Sequence, residues 1–234
     1  MSITSGFPNA GLSGIDIDYP FTGSVRYFND FIEWGNSLSS TTAFAEVWRF
    51  TGTNGTAALV DAVNALDGGA IALQTAGADL DDNNIQMNGT PFLFGAGRQF
   101  VYQTRLKLTG TDPTATNLAR FGVAIADSTA IVDTALPAGC LLFDITTTSI
   151  RYSAANATSS TAATSLGAPA LGTGFFTCAL WWDGVSKLRW YVNGVNLITQ
   201  EWTGSASTSS LPMELYLSPV YGVKANGAAE VKSL

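Results

Sequence analysis

Leu188, Trp190 and Val192 alternate with Lys187, Arg189 and Tyr191, the two-residue period of a strand with one buried face and one wet face. Asn193-Gly194 follows at once and supplies the two φ > 0 positions of a tight hairpin turn. Upstream, Asp183-Gly184 closes another hairpin, and the strand before it, Phe175 to Trp182, is apolar on both faces. Such a strand belongs at the centre of a two-sheet core. Three strands and two turns thus fill Thr173 to Gly204, and they predict an all-β fold.

The pattern extends to both sides. In Arg98 to Leu108, one face carries Phe100, Tyr102, Thr104, Leu106 and Leu108 and the other Gln99, Gln103, Arg105 and Lys107, a half-buried strand. Arg120 to Ala126, Gly139 to Thr146 and Ser149 to Ser153 continue the series, and Met213 to Leu217 and Ala228 to Val231 end it. Val25 to Trp34, Ala45 to Thr51, Gly69 to Thr75 and Asn84 to Met87 read as earlier strands. Ala57 to Leu66 has helical spacing through Leu59, Val63 and Leu66 but no strong cap, so it reads as a short helix or a loop. Ala154 to Gly172, rich in small residues, reads as a surface loop. The alternation predicts a two-sheet antiparallel jelly-roll sandwich with Phe100, Leu106, Phe121, Val123, Phe143, Trp181, Leu188, Trp190 and Leu215 in its core.

Residues 1–23 differ from the rest. They are rich in Gly, Ser and Pro but dotted with Phe7, Ile15, Ile17, Tyr19 and Phe21, more apolar residues than a free tail usually carries. They are expected to form an extended N-terminal arm that carries partner contacts, with residues 24–234 as a single sandwich domain. A chain of 234 residues is long enough for one substantial core.

Composition narrows the function. Charged residues make up 12% of the chain and the formal net charge is −7, which disfavours nucleic acid or an anionic membrane as partner. Neither a signal-like N-terminus nor an apolar run of membrane-spanning length is visible, so the chain is expected to stay in the cytoplasm where it is made. Cys140 and Cys178 each fall on a predicted strand and are either two buried thiols or a disulfide, which spacing alone does not decide.

The succession FVYQTRLKL, FGVAIAD, LLFDIT with SIRYS, CALWWDG, KLRWYVNG and LPMELYLSP resembles the concanavalin A-like sandwich, in particular its laminin G-like branch, over roughly residues 25–234. That resemblance implies a fold and leaves function open. Glycan-cleaving members of the family carry acids at every second position of one strand. Here the only such pairs are Asp16/Asp18 in the arm and Asp79/Asp81 in a turn-like segment, while Glu33, Glu46, Glu201, Glu214 and Glu230 are isolated.

The chain contains no histidine, so the commonest general base and zinc ligand are missing and no Ser-His-Asp or Cys-His set can be built. No enzyme activity is expected. The segment ADLDDNN gathers Asp79, Asp81 and Asp82 with two asparagines, oxygen ligands of the kind Ca2+ takes, although Asp and Asn are also common in turns. Ca2+ is the one cofactor left open. Of six tryptophans, Trp202 is the best candidate for stacking on a sugar, and Trp181 and Trp182, being adjacent on a strand, point to opposite faces. A Thr/Ala/Gly-rich sandwich with an apolar arm and no catalytic set is similar to tailed-phage capsid decoration or cement proteins. This implies a virion protein that binds the major capsid protein and itself, as a homo-oligomer with a trimer as first guess. A carbohydrate-binding, lectin-like module, free or in a virion fibre, is the alternative.

Overall fold

A computed structural model describes residues 15–18, 24–27, 48–53, 56–60, 70–74, 82–107, 119–125, 136, 139–145, 149–155, 160–166, 174–201 and 214–224. Among these residues every regular element is a β-strand. The chain divides into two compact units, residues 1–40 with 57–72, and residues 41–56 with 73–234. In the first unit β1 (Ile15–Asp18) pairs antiparallel with β2 (Ser24–Tyr27), across the arm boundary that the sequence predicts. A separate two-stranded sheet joins β4 (Thr56–Val60) to β5 (Ala70–Gln74). The helical spacing read from Ala57 onward is therefore overridden at its start by cross-strand pairing, the remainder up to Leu66 lying outside the described residues.

The second unit contains two antiparallel sheets. In the larger, β3 (Trp48–Thr53) pairs with β6 (Asp82–Met87), β6 with β16 (Glu214–Lys224), and β16 with β9 (Ala119–Ala124). The sheet continues through β10 (Cys140–Ile145) and β11 (Ile150–Ala155) to β12 (Ser160–Ser165), and β7 (Phe92–Gly95) pairs with the start of β16. The smaller sheet runs β15 (Val195–Glu201), β14 (Lys187–Val192), β13 (Phe176–Trp182), β8 (Phe100–Leu106). The expected jelly-roll sandwich is present, and its hairpins turn where the sequence places them: Asn193 and Gly194 have φ of 49° and 78°, the left-handed pair that a two-residue turn needs.

Between the sheets lies an aromatic core. Phe121 and Phe143 of the large sheet stack at 5.3 Å, Phe143 meets the edge of Trp190 from the small sheet at 4.9 Å, and Tyr152 packs on the same indole at 5.0 Å. A second cluster gathers Phe94, Phe100 and Trp182, whose indole N–H donates to the Gly95 carbonyl at 2.9 Å. Burial of a whole indole such as that of Trp190 contributes roughly 4–6 kcal/mol from area alone.

Several expectations are corrected. Trp182, not Trp181, fills the core, because β13 turns Cys178, Leu180 and Trp182 inward. Phe100 and Leu215 are half-buried rather than interior. The small-residue stretch from Ala154 is not wholly loop: Ala154 and Ala155 finish β11, where both are buried, and Ser160–Ser165 form β12 by pairing with β11. The strand expected over Met213 to Leu217 is described from Glu214 and runs on to Lys224 through Pro219. Proline is tolerated there because β16 changes partner on one side at that point, from β7 at Leu217 to β6 at Val220, so the missing N–H removes no ladder bond on that side.

Gly122 is required. It sits at φ 150° in β9, and a Cβ there would come within 2.2 Å of the Leu141 carbonyl oxygen on β10. A side chain at this position would therefore clash with β10 at the centre of the large sheet.

Candidate functional site

The inward phase of the small sheet decides what its outer face presents. With Cys178, Leu180 and Trp182 inside, Thr177, Ala179 and Trp181 of β13 face outward; so do Val101, Gln103 and Arg105 of β8 and Lys187, Arg189 and Tyr191 of β14. Strand register sets them in rows: Arg189–Trp181–Val101, then Tyr191–Ala179–Gln103, with Arg105 opposite Thr177. Ala179 contributes only a methyl group, so the middle of the face is low and ringed by Trp181, Tyr191, Gln103 and Thr177.

Two arginines are stacked on aromatics at this surface. The Arg189 guanidinium lies 4.4 Å from the centroid of the half-buried Trp181, and that of Arg105 lies 4.7 Å from the exposed Phe175 ring. Each such contact is worth about 0.5–1 kcal/mol at an exposed site. It also restrains the guanidinium, and the N–H donors of such a group lie at its edge rather than on the face that meets the ring. Val101, at 63% exposure, is an apolar neighbour on the same face.

The turn beside this face is rigid. Asp183 accepts hydrogen bonds from the backbone N–H groups of Val185, Ser186 and Lys187 at 2.7, 2.8 and 3.0 Å. Those bonds, Lys187's first, hold its carboxyl below the usual aspartate range. Gly184, at φ 82°, passes 3.1 Å from the Arg98 backbone as measured from its would-be Cβ, and the neighbouring Gly97 N–H donates to its carbonyl at 2.6 Å.

The outer face of the large sheet carries a different chemistry. One row runs Asn84–Gly222–Arg120–Asp144–Arg151 across β6, β16, β9, β10 and β11. Arg120 Nε donates to Asp144 Oδ1 at 2.5 Å, and the Ser153 hydroxyl donates to the other carboxylate oxygen. Arg120 is 4% exposed and Asp144 0%. Asn84 Oδ1 is buried on the same row and, among the described residues, accepts no hydrogen bond. Beside the row, Ala124, Cys140, Leu142, Ala155 and Val220 form an apolar cluster with Leu136 packed on it. A row so enclosed offers a ligand far less than the open face of the small sheet.

Neither thiol is an activated nucleophile. Burial pushes the Cys140 and Cys178 thiols up to about 12, so neither forms a thiolate at neutral pH. The two are free, one on the outer side of the large sheet and the other on the inner side of the small one, which explains the absence of a bridge.

Of the candidate residues read from sequence, Ile15 and Ile17 lie on β1, paired with β2 of the same chain. Phe7, Tyr19, Phe21, Asp79, Asp81 and Trp202 lie outside the described residues. Asp82 is not in a turn: it begins β6, is 9% exposed and stands opposite Lys224. Among the described residues no three carboxylates or thiols converge as a metal ion would require. The outer-face arginines were missed in sequence because alternation shows that they are outward but not which neighbours share their face. The signal available was the i, i+2 run Gln103–Arg105–Lys107 and Lys187–Arg189–Tyr191.

No protein-family model matches the chain, and no characterised protein matches it in sequence. Solved structures match its fold. The Emp46p carbohydrate recognition domain in its potassium-bound form superposes with a TM-score of 0.53 at 8% identity, over 88% of this chain and 94% of that one. The VIP36 exoplasmic/lumenal domain, bound to Ca2+ and Man3GlcNAc, gives 0.53 at 9% identity over 80% of each chain. The Emp47p carbohydrate recognition domain gives 0.51 at 11% identity, over 80% and 85%. The sandwich is concanavalin A-like. At these identities the likeness is one of fold alone.

Proposed function

We propose that this protein is a carbohydrate-binding, lectin-like module whose ligand lies on the outer face of the four-stranded sheet. The observation that carries the reading is the open face on which Trp181, clamped by Arg189, and Tyr191 border the low methyl floor of Ala179. An indole and a phenol on a rigid sheet supply flat apolar area for a sugar ring, and Gln103 and Thr177 supply hydrogen-bonding groups at its edge. The solved structures that share the fold include domains named for carbohydrate recognition, which favours this reading over capsid decoration. The decoration reading draws on the arm together with the Thr/Ala/Gly-rich sandwich and the lack of a catalytic set. Of that arm only Ile15–Asp18 is described, and it is paired with β2 of its own chain.

A glycan array followed by calorimetry on the best ligand tests the proposal. Trp181→Ala should weaken binding roughly tenfold or more, and Tyr191→Ala by less, with the fold intact by circular dichroism. Binding to no glycan, or binding that both variants leave unchanged, would refute it.

A further inference from the structure

The outer face of the small sheet has a charge opposite to that of the molecule. Formal net charge over the chain is −7. Yet the outward positions of β8, β13 and β14 hold Arg105, Lys187 and Arg189, and no carboxylate. The nearest acids in register or turn are Glu201, opposite Lys187, and Asp183, whose Oδ1 accepts from three backbone N–H groups and whose charge also acts on Arg189. Among the described residues, no ion pair engages Arg105 or Arg189.

We infer that the ligand of this face is an anionic glycan, its carboxylate or sulfate groups held by the stacked guanidiniums of Arg105 and Arg189. This rests on the reading of the face as a glycan site. Stacking on Phe175 and Trp181 orients each guanidinium before binding, so that its N–H edge can meet a planar or tetrahedral oxyanion with two parallel hydrogen bonds. The two arginines stand on strands that flank β13, four residues apart in register. That separates their Cα atoms by about 16 Å at ordinary strand spacings. A single sugar would not bridge them; a chain bearing repeated anions would, with its neutral ring faces over Ala179 and Trp181. The acidic remainder of the molecule then repels the same polymer elsewhere and confines it to this face.

The test is calorimetric titration of the full chain with polygalacturonate, dextran sulfate and neutral dextran. It is done at about 0.01 M and about 1 M NaCl, between which the Debye length falls from about 30 Å to about 3 Å. At low salt an anionic polymer should bind at least roughly tenfold tighter than dextran, and the advantage should collapse at high salt. Arg105→Gln and Arg189→Gln should each cost roughly three- to tenfold, and Arg189→Lys should recover part of the loss because it restores charge without the two-pronged donor. Tighter binding of polygalacturonate assigns the carboxylate as the recognised group, and tighter binding of dextran sulfate assigns the sulfate ester. If dextran binds as well as both anionic polymers while Trp181→Ala abolishes binding, the anionic class is wrong and the glycan reading stands. If no polymer binds, the anionic class falls, and the glycan array alone decides the glycan reading. Unchanged binding in both glutamine variants also overturns the inference.

Discussion

Removing one member of the buried Arg120–Asp144 pair should be far more costly than removing both. Asp144→Ala deletes the acceptor of both Arg120 Nε and the Ser153 hydroxyl, and it removes this carboxylate from beside a guanidinium that is only 4% exposed. Breaking such a pair from one side costs about 3–5 kcal/mol, because the stranded charge keeps its desolvation penalty and loses its compensation. Arg120→Met strands the carboxylate in the same way, with Ser153 still donating to it, so its cost should fall at the lower end of that range. The double variant Arg120→Met/Asp144→Leu buries no ion at all, and should lie within about 2 kcal/mol of the parent. Equilibrium urea unfolding followed by tryptophan fluorescence measures all four proteins, with a constant m-value as the check that the transition remains two-state. Because domains are stable by only about 5–15 kcal/mol, either single change should lower the midpoint visibly. If Asp144→Ala costs less than about 1 kcal/mol, or if the double variant costs the sum of the singles, the pair is hydrated in solution. The outer face of the large sheet would then be open to water, and a competing ligand surface.

Gly122→Ala should prevent folding or destabilise by more than about 3 kcal/mol, since the new methyl would overlap the Leu141 carbonyl oxygen at 2.2 Å; a soluble variant with an unchanged melting temperature would refute the close approach. Trp190→Ala, at the meeting point of Phe143 and Tyr152, should cost about 3–5 kcal/mol, whereas Trp181→Ala on the half-buried outer face should cost much less, and denaturant titration that ranks them the other way would reverse the assigned faces. Because burial raises Cys140 and Cys178 from 9.0 to about 12, the folded chain holds both protons longer than the unfolded chain does. The stability that these thiols contribute is whole below pH 9 and is lost between 9 and about 12, by about 1 kcal/mol per thiol at one unit above the free-thiol value. A Cys140→Ala/Cys178→Ala variant should therefore show a shallower alkaline fall in unfolding free energy than the parent, and equal slopes would mean the thiols are not shielded.

Local pattern carried most of the sandwich. Leu188, Trp190 and Val192 are interior because alternation is a property of the strand itself, and Asn193-Gly194 turns the chain because those two residues accept φ > 0 wherever they stand. Pattern failed where both phases are equally apolar. Trp181 and Trp182 cannot be told apart by hydropathy, and only pairing with β8 and β14, which turns Trp182 toward Phe94, puts Trp181 outside. It failed again where burial comes from two-sided cover rather than from large side chains, as at Ala154 and Ala155, and where an irregular ladder hides a continuous strand, as at Pro219 in β16. The candidate site belongs wholly to this second class. Arg105 and Arg189 are 84 residues apart in sequence, and Phe175 and Trp181 come to them across strand pairs. No periodicity within a segment encodes which distant strand lies beside it, since register is settled by the packing of the whole sheet.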